Sequence, residues 1–273
     1  MGTLKMTSMR LFGLAIGAIL IGCASQASAQ GSDLELNSPG ALTVCVTDAN
    51  APMSSVIDGK MQGYEVSFTT DIARRLNLTP DYRITVFEGI FAAVANHVCD
   101  ISAGSHSITL PRLKIVNFSS PHFVGSYTIL TSQDSGIKDE AGLAGKRLGV
   151  VAASIQETYA NETYKSTQIV PFPDSAALQI SLQSGQIDAA FFDGGLAAIY
   201  VKTSPRPLSV VVSIPNTDQP AGIGVAKDRP NLLAAVNKAV ADMIADGTYG
   251  KIYQEWIGAD VPKLPGPDFV PAR

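Results

Sequence analysis

Two α/β lobes, each a doubly wound and mostly parallel sheet, are predicted by three observations. Short β-branched or apolar runs alternate with helical patterns from residue 42 to residue 103, in the order β-α-β-α-β that parallel sheets require. The same order recurs from residue 147 to residue 192. Once an N-terminal export signal is removed, about 245 residues remain, enough for two modest lobes.

The signal is read from Lys5 and Arg10, which precede the apolar stretch Leu11 to Ile21 and then small residues ending Ala27-Ser28-Ala29. Residues 1–29 therefore form a secretory signal peptide, with cleavage expected after Ala29. Leu20-Ile21-Gly22-Cys23 offers a second route, in which Cys23 becomes a lipid anchor. In an oxidising compartment Cys45 and Cys99 either pair or remain two small buried hydrophobes. A formal charge of -4, a pI near 5.4 and the absence of a basic run argue against nucleic acid as a partner.

In the first half, Leu42 to Thr47 reads as a strand and Glu65 to Leu76 as a helix with Val66, Ala73 and Leu76 on one face. Ile84 to Phe87 is a second strand, Gly89 to His97 a helix carrying Ile90, Phe91, Val94 and Val98 at helical spacing, and Asp100 to Ala103 a third strand. In the second half, Arg147 to Ala152, Ile169 to Phe172 and Ile187 to Phe192 are strands, separated by helices over Ile155 to Tyr164 and Ser175 to Gln183. From Arg229 to Gly258 the pattern is helical throughout, with Leu233, Val236, Val240 and Ile244 on one stripe and a break at Asp246-Gly247. Val261 to Arg273 carries four prolines and is expected to be an extended tail.

Parallel sheets bind ligands beyond the carboxyl ends of their strands, where helix N-termini present free N–H groups. The residues at those ends are Asp48, then Gly104, Ser105 and Ser107, and in the second half Ser154 and Asp193. Arg112 lies close enough to fold back over Gly104, and its planar fork suits a carboxylate. Ser154 opens a helix that favours the same anion, and Asp193 supplies a negative charge for an ammonium. Together they describe a site for a zwitterion held between two lobes. Taken singly, Arg112 also reads as a surface arginine, Asp193 as an N-cap for Gly194 to Tyr200, and Asp48 as a loop cap. Asp100 and Asp188 open their strands away from this face and read as structural.

Several motifs in order then resemble a known family. Gly63-Tyr64-Glu65-Val66-Ser67-Phe68, Ser107-Ile108-Thr109 with Arg112, Val116-Asn117-Phe118-Ser119 and Leu143 to Val150 are similar to those of the family 3 periplasmic solute-binding proteins, the polar-amino-acid receptors of ABC importers. The resemblance implies a type II periplasmic-binding-protein fold, with lobe one over residues 30–127 and 221–262, lobe two over 128–220, and a tail over 263–273. It implies crossings near Gly125 to Thr128 and near Ala221 to Gly224. It also implies that Arg112 binds an α-carboxylate, that Ser105 and Ser107 add hydroxyl and backbone bonds, that Asp193 binds the α-ammonium, and that Phe87 stacks on the ligand. The partners it implies are an amino-acid-like ligand and an inner-membrane ABC permease, for a monomeric protein in the periplasm.

The chain departs from the family pattern where Ala49 to Met53 offers no upper aromatic wall, where Ile155 replaces a common threonine whose backbone N–H can still serve, and where His106 replaces Met or Leu. Two other functions stand beside the receptor. Cyclohexadienyl dehydratases are similar, but they need a carboxylic acid in the cleft, and Asp193-Gly194-Gly195 offers an aspartate with no neighbouring glutamate. A sensory or accessory binding module is the other. No cofactor is expected, His97, Cys99, His106 and His122 match no metal-ligand spacing, and Ser105-His106 has the wrong geometry for a nucleophile and its base.

Overall fold

The computed structural model describes residues 1–3 and 34–271, so all but the first three residues of the expected signal peptide, Cys23 included, lie outside the described residues. The first lobe begins with β1 (Ala41–Val46) and a small antiparallel sheet of β2 (Ala49–Asn50), β3 (Ser54–Ile57) and β4 (Lys60–Gln62). There follow α1 (Tyr64–Arg75), β5 (Thr79–Ile84), α2 (Ile90–Ala95), β6 (Ile101–Ser102), α3 (Leu110–Leu113) and β7 (Asn117–Phe118). The second sheet and its helices comprise β8 (Phe123–Ser132), β9 (Arg147–Val151), α4 (Ile155–Thr163), β10 (Gln168–Phe172), α5 (Ser175–Ser184), β11 (Ala189–Asp193), α6 (Gly194–Thr203) and β12 (Leu208–Ala221). The chain returns through β13 (Gly224–Val225), α7 (Pro230–Ala245) and α8 (Thr248–Ile257).

The first sheet has the order β5-β1-β6-β13-β7 and the second the order β10-β9-β11-β8-β12. In each, three parallel strands meet antiparallel ones, β13 beside β6 and β8 beside β11. The interior strand β1 is buried from Leu42 through Val46, the pattern of a strand covered on both faces. Edge strand β5 differs from expectation: it covers Thr79–Ile84, earlier than the expected Ile84 to Phe87. Its Thr-Pro-Asp-Tyr-Arg composition is that of a half-exposed edge, which apolar periodicity does not reveal.

The core of the first lobe joins β1, α1, α7 and α8. On α7 the buried stripe is Leu232, Val236, Ala239, Val240 and Met243, while Ile244 stays 49% exposed. This differs from the expected stripe ending at Ile244, because the helix presents a broad face at i, i+4, i+7 and i+8 instead of a single row. Asp100 and Asp188 each tie a strand start to its neighbour. Asp100 accepts from Thr43 N–H at 2.8 Å and pairs with Arg229 at 2.5 Å; Asp188 accepts from Arg147 N–H at 2.8 Å and from its guanidinium at 2.9 Å.

Cys45 and Cys99 form a disulfide, with Cα atoms 5.6 Å apart. The sulfurs lie among Ile90, Phe91, Val94 and Val116, so the bridge clamps the loop between α2 and β6 to β1. The cysteines stand 54 residues apart, and closing a loop of that length restricts the unfolded chain by about 4 kcal/mol. The double substitution C45A/C99A is expected to lower the unfolding free energy in urea by about that amount.

Candidate functional site

The strand exits of both lobes face one cavity of about 220 Å³. All nine expected residues line it: Asp48, Phe87, Gly104, Ser105, Ser107, Arg112, Ser154, Ile155 and Asp193. Arg112 stands on the short helix α3, whose N-cap Thr109 and Pro111 fix its first turn. It is no surface arginine, being only 8% exposed. Its Nη1 donates to Ser107 O at 3.0 Å and its Nη2 to Ala153 O, on the second lobe, at 3.3 Å. The guanidinium lies 5.5 Å from the Phe87 ring centre and 5.0 Å from that of Phe91. Burial lowers its pKa to about 10, against the pull of Tyr127 and Asp193, so it stays charged at neutral pH.

Asp193 closes β11 on the opposite wall. It occupies the N-cap position of α6 but makes no cap bond. Its Oδ1 accepts from Gln156 Nε2 at 2.7 Å. Burial raises its pKa, opposed by hydrogen bonds from Gln156 and Asn50 and by the charge of Arg112. Ser154 caps α4, its Oγ accepting from Glu157 N–H at 3.1 Å, and Ile155 opens that helix. Phe87 sits in a single 3-10 turn, Phe87–Gly89, beneath the cavity. Asp48 follows β1 at the exposed rim.

The floor is built by Gly104 to Ser107. Gly104 has φ of 153°, and a Cβ there would stand 2.9 Å from His106 Nε2. His106 turns away from the cavity: it is 1% exposed, its Nδ1 lies 3.2 Å from Ser102 Oγ, and Phe87 and Phe91 hold it edge-on. Burial, aided by Arg112, lowers its pKa to about 3 and keeps it neutral. Ser105 adopts φ of 55° and gives both its N–H and its hydroxyl to Glu65 Oε1, each at 2.8 Å. Ser107 Oγ lies 3.3 Å from Tyr127 and accepts from Asn216 Nδ2 at 3.3 Å. The same segment is bonded to the crossing strands, Ile108 N–H to Pro220 O at 2.8 Å and Gly222 N–H to His106 O at 3.1 Å.

Where an upper aromatic is missing, the turn after β2 crosses the cleft instead. Ala51 packs into the second lobe beside the core of Leu196 and Ala197, and a Cβ on Gly195 would stand 3.3 Å from Pro52. Small residues permit that approach. Sequence reasoning missed Asn50, Gln156, Phe91 and Glu65. Gln156 was two residues past the recognised strand exit at Ser154, whereas Phe91 is indistinguishable in sequence from its core neighbours.

The family described as bacterial extracellular solute-binding proteins, family 3, matches residues 42–259. The chain is 29% identical over 208 residues to the L-cystine-binding protein TcyJ of Escherichia coli (strain K12), covering 76% of this chain and 78% of that one. An ancestral arginine-binding protein bound to arginine superposes with a TM-score of 0.76 at 31% identity, covering 80% of this chain and 99% of the other. The ancestral amino acid-binding protein AncCDT-1, a precursor of cyclohexadienyl dehydratase, superposes with a TM-score of 0.72 at 29% identity, covering 80% and 95%.

Because the native carboxyl of Asp193 has a raised pKa, the native state holds its proton more tightly than the unfolded chain does. Its contribution to stability is therefore present at low pH and lost as pH rises through the native pKa. Asp193→Asn is expected to raise the melting temperature of the free protein at pH 7 by about 2 °C, with the gain vanishing near pH 3, as read by calorimetry.

Proposed function

The chain belongs to the bacterial extracellular solute-binding proteins of family 3, and on that premise we propose that it captures a free amino acid in the periplasm and delivers it to an ABC importer. The observation that carries this reading is the pair Arg112 and Asp193, one buried cation and one carboxylate on opposite walls of a single small cavity. A carboxylate meets the fork of Arg112, and an ammonium meets Asp193. The cavity, at about 220 Å³, lies below the ~300–1,000 Å³ of pockets for drug-sized ligands and suits a small metabolite.

The lining supports a further narrowing. Among the described residues Arg112 is its sole cation, whereas Asp48, Asp174 and Asp193 are acids. Asp174 is occupied in capping α5, where it accepts from Ala177 N–H at 2.7 Å. With Arg112 taking the α-carboxylate, no cation remains for a second one, so an uncharged or basic side chain fits and an acidic one does not. Lobe one, residues 30–127 and 221–262, closes on lobe two, residues 128–220, with the ligand favouring closure because its two charges sit on different lobes. The protein acts as a monomer and hands its cargo to the permease.

Catalysis is not part of this reading. An enzyme on this scaffold needs an acid placed to protonate a leaving group, whereas Asp193 is held between Gln156 and Asn50 facing Arg112. Isothermal titration of the purified protein against the twenty common L-amino acids tests the proposal. Binding of at least one uncharged or basic member is expected, with Arg112→Ala and Asp193→Ala each weakening it on the order of 100-fold. Affinity that survives both substitutions would refute the site.

A further inference from the structure

Behind the cavity floor lies a buried carboxylate to which none of the roles above assigns a task. Glu65, in the first turn of α1, is fully buried. Its Oε1 receives the N–H and the hydroxyl of Ser105, each at 2.8 Å, and lies 2.9 Å from His122 Nε2. Its Oε2 has no hydrogen-bond partner among the described residues, so within them the carboxylate acts through one oxygen. Burial alone would raise its pKa, but His122 and Ser105 outweigh that and hold it below the usual carboxylate range. His122 is itself fixed by Tyr64 and Tyr249, whose hydroxyls donate to its backbone carbonyl at 2.9 Å and 3.1 Å. Ser105, at φ of 55°, occupies a conformation that costs a non-glycine residue about 1 kcal/mol. The two bonds to Glu65 stabilise it there.

A serine hydroxyl has one proton and two acceptor lone pairs. With that proton directed at Glu65, and the N–H directed at the same oxygen, Ser105 has only acceptors left for the cavity it lines. We propose that Glu65 is a positioning residue that makes Ser105 an acceptor-only contact, and that it thereby selects a ligand bearing an α-ammonium over one bearing an α-hydroxyl. An ammonium brings three donors and no lone pair, so every orientation satisfies such a contact. A hydroxyl brings one donor and directs lone pairs at Ser105 in its other orientations. The inference rests on the amino-acid reading above and deepens it.

A carboxylate that merely braces α1 against the floor would influence stability and leave selectivity alone. The two roles separate in a double-mutant cycle of Glu65→Ala, Ser105→Ala and the pair, titrated with a bound L-amino acid and with its α-hydroxy acid counterpart. The wild type is expected to favour the amino acid, and either single substitution to lower that preference about tenfold. The pair should be no worse than Ser105→Ala, since Glu65 acts through that serine. Glu65→Gln, which retains an acceptor oxygen at the same place, should restore most of the preference. A Glu65→Ala protein with a lower melting temperature and an unchanged preference overturns the inference, as does full additivity in the cycle.

If Glu65→Ala does not fold, Ser105→Ala alone still decides, because a preference unaltered by that change overturns the inference. Amide exchange at Ser105 in the ligand-free wild type is the arm independent of any ligand: strong protection is expected, and rapid exchange overturns the hold of Glu65. A wild type that binds no amino acid refutes the amino-acid reading, while the exchange arm still decides whether Glu65 holds Ser105.

Discussion

Arg112 carries a full positive charge on a side chain that is almost wholly buried, and the elements around it are arranged so that the charge is tolerated. Isolated burial of such a group is prohibitive, so its protons must meet oxygen and its faces must meet polarisable surface. One carbonyl, of Ser107, comes from the first lobe and another, of Ala153, from the second, while Phe87 and Phe91 flank the guanidinium. Phe91 is held in turn by the cluster around the Cys45–Cys99 bridge, and His106 fills the angle between the two rings. The disulfide, the floor and the contact between lobes thus converge on one cation. Burial, and after it the charge of Arg112, keeps His106 neutral beside that cation.

Much of this was legible in the sequence, and where it was not the reason is physical. Buried parallel strands such as β1 and β9 announce themselves as apolar runs, and α1, α7 and α8 by their periodicity. Edge strand β5 was misplaced because Pro80, Asp81 and Arg83 belong on a solvated rim. The small sheet of β2, β3 and β4 escaped notice since two- to four-residue strands carry no period. That Asp193 and Arg112 line one cavity was legible because polar groups at strand ends converge, a rule of topology. The disulfide was left open, since spacing does not say whether two Cβ vectors converge. Glu65 and His122 stand 57 residues apart, and nothing local connects them.

The two lobes solve the same construction problem with the same parts and then diverge in charge. At the base of each, an aspartate receives a backbone N–H of the adjoining strand and an arginine guanidinium, Asp100 with Thr43 and Arg229, Asp188 with Arg147. At the opposite ends the likeness stops. The first lobe delivers a cation from a short helix, and the second delivers an anion from a strand terminus. A scaffold repeated in this way leaves its strand ends free to vary, because the hydrogen bonds that register the sheets are made elsewhere.

The floor segment from His106 to Ile108 is bonded at its back to the strands that pass between the lobes, through Pro220, Ala221 and Gly222. The floor of the candidate site and the link between the two sheets are consequently one bonded unit of backbone. On the closure proposed above, a bend of that link reshapes the grip in the same motion, so tightness of hold and angle of opening become two readings of a single mechanical coordinate.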